Sequence, residues 1–374
     1  MAESLWRAVA PADSRVHEVD AMRRDLHPLA WWAWAIGLAT YASFLTNPWL
    51  LLLVIGVAAL VVAARRGDQP WSRSFRIYVA MGVVIVLVRV LFRILFGGVD
   101  GHVLIGLPLI PLPGWVLGIR LLGPLTREAL LAGLYDGLRL AAIVITVGAA
   151  NSLANPKRLL RSIPPALYEI GTALVVAVTV LPQLADSVQR VRRAQQLRAG
   201  DTRRVGRLRR FLVPVLEDAL ERSLALAAGM DTRGYGRSGG ASPAQRRATG
   251  TLMLLALFGL SAGTYGVLDD TAPRWLATPM VVVGLALAVV ALVVAGRRVE
   301  RSAYRPDPWR WPETVVALSG LAVGTAGWWV SQNQVAIAHP DVFSAPQISL
   351  VALLGALIGL LPAVASPEPA VATA

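Results

Sequence analysis

The chain has 374 residues, of which 55% are hydrophobic and 16% charged, with no cysteine and a formal net charge of +13. These values are typical of a polytopic membrane protein, and they exclude disulfides, thiolate chemistry and Cys-ligated metals. The single lysine, Lys157, follows Asn155-Pro156 rather than a glycine-rich turn, so the sequence contains no Walker A site for nucleotide phosphates. The arginine excess of cytoplasmic loops explains the positive charge, and we expect no nucleic-acid partner.

Eight apolar segments are long enough to cross a bilayer as helices. Only Thr46-Asn47 separates the first two, which predicts a tight helical hairpin. In chain order the predicted spans are residues 29–45, 48–64, 77–96, 129–150, 251–268, 276–295, 312–330 and 348–365. The predicted fold is therefore all-α: a polytopic membrane helix bundle of about eight spans, with a basic helical module between spans 4 and 5.

The orientation follows from the connecting segments, because Lys and Arg are enriched in cytoplasmic loops. With the N-terminus in the cytoplasm, the cytoplasmic segments hold 30 Lys and Arg and the external segments hold 3. We therefore expect both termini and the basic module to be cytoplasmic. The predicted divisions are an N-terminal segment 1–28, spans 1–4 in 29–150, cytoplasmic helices in 151–250, spans 5–6 in 251–295, and a C-terminal extension with spans 7–8 in 296–374.

Two further apolar segments do not fit this scheme as spans. Residues 103–119 contain three prolines and three glycines, so we predict an external loop or re-entrant piece. Residues 166–185 are apolar enough to span, but basic residues flank them on both sides. A single crossing would place one basic cluster outside, so we predict a helix at the cytoplasmic interface, with a true span as the alternative.

Charged residues inside the spans are costly in lipid and mark sites of interest. Arg89 and Arg93 lie one turn apart in the third span, and Asp136 and Arg139 lie three residues apart in the fourth. We predict a buried pair of Asp136 with Arg89 or Arg139 that fixes the bundle. The alternative is that Arg93 extends toward the end of its span and Asp136 simply lines the protein interior.

The basic module, residues 151–250, holds 17 of the 36 Lys and Arg against 7 acids. Helices are predicted at about 155–162, 166–198 and 212–233. The two longer helices each end on an arginine close to a glycine: Arg198 precedes Ala199-Gly200, and Arg233 precedes Gly234. Gly200 and Gly234 are placed to adopt the left-handed conformation that terminates a helix.

Catalytic signatures are absent from the sequence. The four histidines are scattered through termini and loops, and no HExxH motif, nucleophile elbow or His pair at i,i+4 occurs. We therefore expect no catalytic residues, no metal site, no cofactor and no enzymatic activity in this chain.

Three stretches resemble one known family: LTREALLAGLYDGLRL (125–140), VTVLPQLADSVQRVRRAQQLRAG (178–200) and LALAAGMDTRGYG (224–236). The chain is similar to the transmembrane T component of energy-coupling factor (ECF) transporters, the CbiQ/EcfT-like permease family, over about residues 30–270. The second helix end, MDTRGYG, matches closely, whereas the first reads Leu-Arg-Ala-Gly instead of Ala-Arg-Gly.

The resemblance implies a coupling subunit in a vitamin or metal-ion importer of the cell membrane. Two cytosolic ABC-type ATPases would bind ATP and dock on Arg198 and Arg233, each presented beside its glycine, Gly200 or Gly234. A separate membrane S component would carry the substrate. A self-contained secondary transporter and a membrane scaffold or enzyme remain the alternatives.

Overall fold

The computed structural model describes residues 25–67, 74–96, 101–108, 110–111, 120–197, 204–235, 242–269, 271–273, 275–297 and 307–367. The chain forms two compact units. The first comprises Met1–Leu159 with Asp307–Ala374, and the second comprises Leu160–Pro306.

Apolar helices dominate the N-terminal part of the first unit. Their starts carry familiar signals: proline occupies the first turn of α1 and α2, and the Asn47 side chain accepts a hydrogen bond from the Trp49 N–H at 3.1 Å. The helices are α1 (Pro28–Ser43), α2 (Pro48–Arg65), α3 (Phe75–Phe96), α4 (Arg127–Leu153) and the short α5 (Pro156–Arg161).

Short strands connect α3 to α4. They are β1 (Val103–Gly106), β2 (Ile110–Pro111), β3 (Arg120–Leu121) and β4 (Pro124–Thr126), paired antiparallel as β1 with β4 and β2 with β3. The prediction of a non-helical connection is consistent with this arrangement, but the strand pairing was not anticipated. Pairing satisfies backbone groups that the prolines prevent from forming a helix.

The second unit is built from four long helices after a 3₁₀ turn at Pro165–Leu167. These are α6 (Tyr168–Leu197), α7 (Arg204–Thr232), α8 (Pro243–Leu268) and α9 (Thr278–Gly296). Helix α7 begins eight residues earlier than predicted and passes Pro214 within its length. Helix α8 also begins earlier, because Ser242 and Gln245 form a capping box at its start.

The C-terminal segment returns to the first unit. It contains α10 (Trp311–Asn333), α11 (Val335–Ala338), α12 (Leu350–Leu357), a 3₁₀ turn (Ile358–Leu360) and α13 (Leu361–Ala365). The predicted eighth span is thus a broken helix rather than a continuous one. Side chains of this segment, including Val316, Val323 and Val330, are fully buried in the same apolar core as residues of α1 and α2.

Helices α1 and α10 pack with their backbones in direct contact, so that no Cβ atom fits at the glycines between them. A Cβ atom added to Gly37 would lie 1.9 Å from the carbonyl oxygen of Gly320, and one added to Gly320 would lie 2.4 Å from Cα of Trp34. Small residues permit such approaches between membrane helices, where close van der Waals contact replaces the hydrophobic effect. The C-terminal extension is therefore an integral part of this helix bundle.

Two buried hydrogen bonds join the extension to α1. The Trp34 indole N–H donates to the Gly359 carbonyl at 2.9 Å, and the Tyr41 hydroxyl donates to the Ala352 carbonyl at 2.7 Å. Both aromatic donors thereby find acceptors in apolar surroundings, where an unpaired polar group is costly.

Seven helices among the described residues are long and apolar enough to cross a membrane: α2, α3, α4, the segment Pro165–Ala194, α8, α9 and α10. This confirms the all-α polytopic bundle. The first predicted span forms the 16-residue α1, which is shorter than expected. Residues 166–185 lie in one of the seven helices, so their position along the membrane surface stays a prediction.

The contact between α1 and α10 can be tested with one added methyl group. Gly37→Ala should cost about 1–3 kcal/mol of unfolding free energy, because the backbone of α10 must move aside. Gly56→Ala is the matched control in α2, since nothing lies within 4 Å of its added Cβ. Unfolding in detergent micelles would measure both, and equal stability of the two variants would contradict the observed packing.

Candidate functional site

The C-terminal end of α7 has the geometry of a Schellman motif. The Gly234 N–H donates to the Asp231 carbonyl at 2.9 Å, and the Tyr235 N–H donates to the Met230 carbonyl at 3.1 Å. Gly234 has φ of 76°, a left-handed conformation that residues with a side chain rarely adopt. This confirms the predicted conformation of Gly234, and it makes Arg233 the last residue before the turn.

Arg233 is the exposed residue that this motif presents. Its side chain makes no hydrogen bond or ion pair with any described residue, and it lies beside the negative end of the α7 dipole. A guanidinium offers five N–H donors in a planar fork that matches carboxylates and carbonyl groups. The arrangement suits a groove lined by such acceptors on another protein.

The first predicted helix end cannot be placed in the same way. Helix α6 is described as far as Leu197, and Arg198 and Gly200 lie outside the described residues. Their predicted role therefore stays a prediction.

Asp218 connects α6 to α7. It accepts hydrogen bonds from the Ser187 hydroxyl on α6 and from Arg222 on its own helix, the latter at 3.0 Å, and Arg190 lies 3.4 Å away. The hydrogen bond from Ser187, followed by the interactions with Arg222, lowers the pKa of the Asp218 carboxyl. The pair of Asp218 with Arg222 is an i,i+4 contact within α7, whereas the contact with Ser187 joins α7 to α6.

One face of α7 carries an exposed apolar stripe. Its leucines recur every fourth residue, so they lie on one side of the helix. The stripe consists of Leu212, Leu216, Leu220 and Leu224, and each is exposed. Helix α7 is not among the seven described helices that are long and apolar enough to cross a membrane. The leucine stripe on one face makes it amphipathic.

In the first unit, Asp136 pairs with a different arginine from those predicted. Arg93 on α3 donates to the Asp136 carboxylate on α4 at 3.1 Å. Arg139 instead donates to the Ser43 carbonyl at the end of α1, and Arg89 makes no ion pair with a described residue. The buried pair predicted for Asp136 with Arg89 or Arg139 was therefore wrong in its partner.

The spacing of two glycines explains this pairing. A Cβ added to Gly133 would lie 2.8 Å from Cγ of Arg93, and one added to Gly137 would lie 3.3 Å from Cβ of Arg89. Both glycines face α3, so they let the arginine stems lie within the contact between the helices. Gly133 is three residues before Asp136, which brings the carboxylate beside Arg93. The four-residue glycine spacing was the sequence signal for this contact.

Within the part of the chain that the structure describes, no group of three or more His, Cys, Asp or Glu side chains could hold a metal ion.

Removing Arg93 tests the intramembrane pair. Arg93→Leu should cost about 1–3 kcal/mol of unfolding free energy, because the half-exposed Asp136 on the membrane-competent α4 would lose its cation. The double variant Arg93→Leu with Asp136→Leu should recover most of this loss, since no charge is then stranded. Unfolding in lipid nanodiscs measures all three proteins. A double variant no more stable than the single variant would show that the pair does not carry the effect.

Lowering the pH tests the contact between α6 and α7. Because the folded protein lowers the pKa of Asp218, the contact is strongest above the ordinary pKa of the carboxyl and weakens as the pH falls through the lowered value. Spin labels on Gln189→Cys and Glu221→Cys, in a chain with no other cysteine, would report the separation. The distribution of distances between the two labels should broaden on acidification. In Asp218→Asn this distribution should be broad at every pH. A narrow, pH-independent distribution in Asp218→Asn would contradict this role.

Comparison with known proteins agrees with the resemblance drawn from residues 125–140, 178–200 and 224–236. The family described as CbiQ, cobalt transport protein, matches residues 20–242, which is more than half of the chain. No curated protein gives a match. The matched region contains both the intramembrane pair and the Schellman end of α7. The chain therefore belongs to the CbiQ cobalt transport protein family, as a multi-pass membrane member of it.

Proposed function

We propose that this chain is the transmembrane coupling subunit of an ECF-type ABC importer. In this role it transmits ATP hydrolysis by two cytosolic ABC-type ATPases to a membrane S component that binds a vitamin or a metal ion. The substrate would bind the S component and not this chain. The membership in a cobalt transport family supports a transport role, and the end of α7 carries the proposal further.

The Schellman end of α7 is the observation on which docking rests. Three features coincide there: a rigid terminus, an exposed arginine and a location in the module with 17 basic residues and 7 acids. An ATPase groove lined by carboxylates and carbonyls would bind Arg233 through charge-assisted hydrogen bonds. Arg198 would serve the second ATPase in the same manner, with Gly200 ending its helix.

Force must pass from the docked ATPases to the S component. Helices α6 and α7 are joined through the contacts of Asp218 with Ser187 and Arg190, so movement of one helix end can be transmitted to the other helix. The apolar stripe on α7 provides a surface for the S component, because an exposed row of leucines favours an apolar partner. The ATPases would favour one arrangement of this helix pair by binding it more tightly.

The proposed orientation places the basic module, residues 151–250, and both termini in the cytoplasm. The division of 30 basic residues against 3 supports it. In this orientation Arg233 faces the compartment that contains ATP.

Charge reversal at the two helix ends tests docking. The double variant Arg198→Glu, Arg233→Glu should bind the co-expressed ABC ATPases at least about tenfold more weakly, because like charges would meet in the groove. The control is Arg192→Glu, which reverses an exposed charge on α6 away from either end. Binding of the purified subunits in detergent gives the affinities. Unchanged affinity of the double variant would refute docking, as would an equal loss in the control.

A further inference from the structure

A cavity of about 490 Å³ lies beside the end of α7, inside the second unit. Its walls come from α6, from α7 and from the residues just before the 3₁₀ turn at Pro165–Leu167. The lining residues that matter here are Arg161, Tyr168, Val175, Leu226, Arg233 and Tyr235.

The lining has two chemically distinct parts. Arg161 and Arg233 contribute two guanidinium groups from different segments of the chain. Val175 and Leu226 contribute an apolar wall, to which Val176 adds. A ligand that matches both parts must carry an anion and a hydrocarbon portion, because an anion alone would leave the apolar wall in contact with water.

Two tyrosines stabilise this arrangement. The rings of Tyr168 and Tyr235 are stacked, with centroids 6.4 Å apart and an angle of 12° between their planes. Tyr235 is also the residue whose N–H closes the Schellman motif on Met230. The stacking therefore fixes the end of α7, with Arg233, against the start of α6. Arg161 is held on the same side of the cavity by the short connection to Tyr168.

The cavity lies at the beginning of an apolar, membrane-competent segment, Pro165–Ala194. For either predicted position of this segment, crossing the bilayer or lying at its surface, we expect its first residues at the level of the lipid headgroups. Tyrosine and arginine are enriched at that level, and basic pockets at the ends of membrane helices bind anionic lipid headgroups.

We propose that this cavity binds an anionic phospholipid. The phosphate is held between Arg161 and Arg233, and an acyl chain lies along Val175 and Leu226. Each guanidinium has five N–H donors, so Arg161 can bind a phosphate oxygen while keeping another contact. Bound lipid would hold the end of α7 near the membrane surface, and its exchange for a partner's acidic group at Arg233 would link membrane composition to docking.

Only the link between membrane composition and docking rests on the proposed function, because Arg233 would belong to both the lipid site and the ATPase-docking site. Arg161 allows lipid binding and ATPase docking to be tested separately, because it lines the cavity but is not at the docking end of a long helix. A variant of Arg161 should weaken lipid binding and leave the ATPase complex intact. Failure of ATPase binding in the unaltered chain would refute the proposed function and leave the lipid result standing.

Native mass spectrometry of the full chain in detergent tests the site, with phosphatidylglycerol and phosphatidylcholine of the same acyl chains as probes. We expect phosphatidylglycerol to bind about tenfold more tightly, because both lipids carry the phosphate but the choline cation of phosphatidylcholine would be repelled by Arg161 and Arg233. Arg161→Gln should remove this preference, and so should Arg233→Gln. Arg192→Gln is the matched control, an exposed α6 arginine outside the cavity, and should keep it.

Competition with glycerol phosphate distinguishes a site for a lipid from a site for phosphate alone. The soluble headgroup lacks acyl chains, so it should compete poorly with phosphatidylglycerol. The proposal is overturned if phosphatidylglycerol shows no preference, if Arg192→Gln lowers binding as much as Arg161→Gln, or if glycerol phosphate displaces the lipid fully. Circular dichroism of each variant confirms that it is folded before its binding is compared.

Discussion

The absence of water around the membrane helices is the constraint on which this structure depends. A polar group in such surroundings is costly unless the protein itself supplies a partner. The Trp34 indole, the Tyr41 hydroxyl and the Arg139 guanidinium all donate to backbone carbonyls near helix ends or breaks. Arg93 and Asp136 satisfy each other across two helices. These contacts determine which helices pack together in the first unit.

The same constraint explains the C-terminal extension. Its final helical run, Leu350–Ala365, accepts hydrogen bonds from donors on α1. The Trp34 indole binds the Gly359 carbonyl and the Tyr41 hydroxyl binds the Ala352 carbonyl, while the Gly37–Gly320 contact holds α10 against α1. The extension lies outside the matched family region, yet it completes the apolar core around α1 and α2. We infer that it stabilises this membrane unit.

Much of the fold could be predicted because apolar length is a property of short segments. The position of Gly234 just after a predicted helix likewise sufficed to predict its left-handed conformation. What could not be predicted depends on neighbours in space: Arg93 rather than Arg89 faces the carboxylate, and Ser187 reaches Asp218 from a helix thirty-one residues earlier in the chain. A spacing of three or four residues shows which side chains share a face, but not which helix lies opposite.

Cross-linking at a single cysteine would detect the proposed contact between the end of α7 and the cytosolic ATPases. Thr232→Cys introduces the only thiol of the chain one residue before Arg233, which stays intact. With a short bismaleimide and ABC ATPases carrying one cysteine at the rim of their docking groove, we expect a cross-linked product that Leu257→Cys on α8 does not give. If Thr232→Cys gave no product while the complex remained assembled, or if only a reagent outside the cell modified it, the end of α7 would not be the docking site.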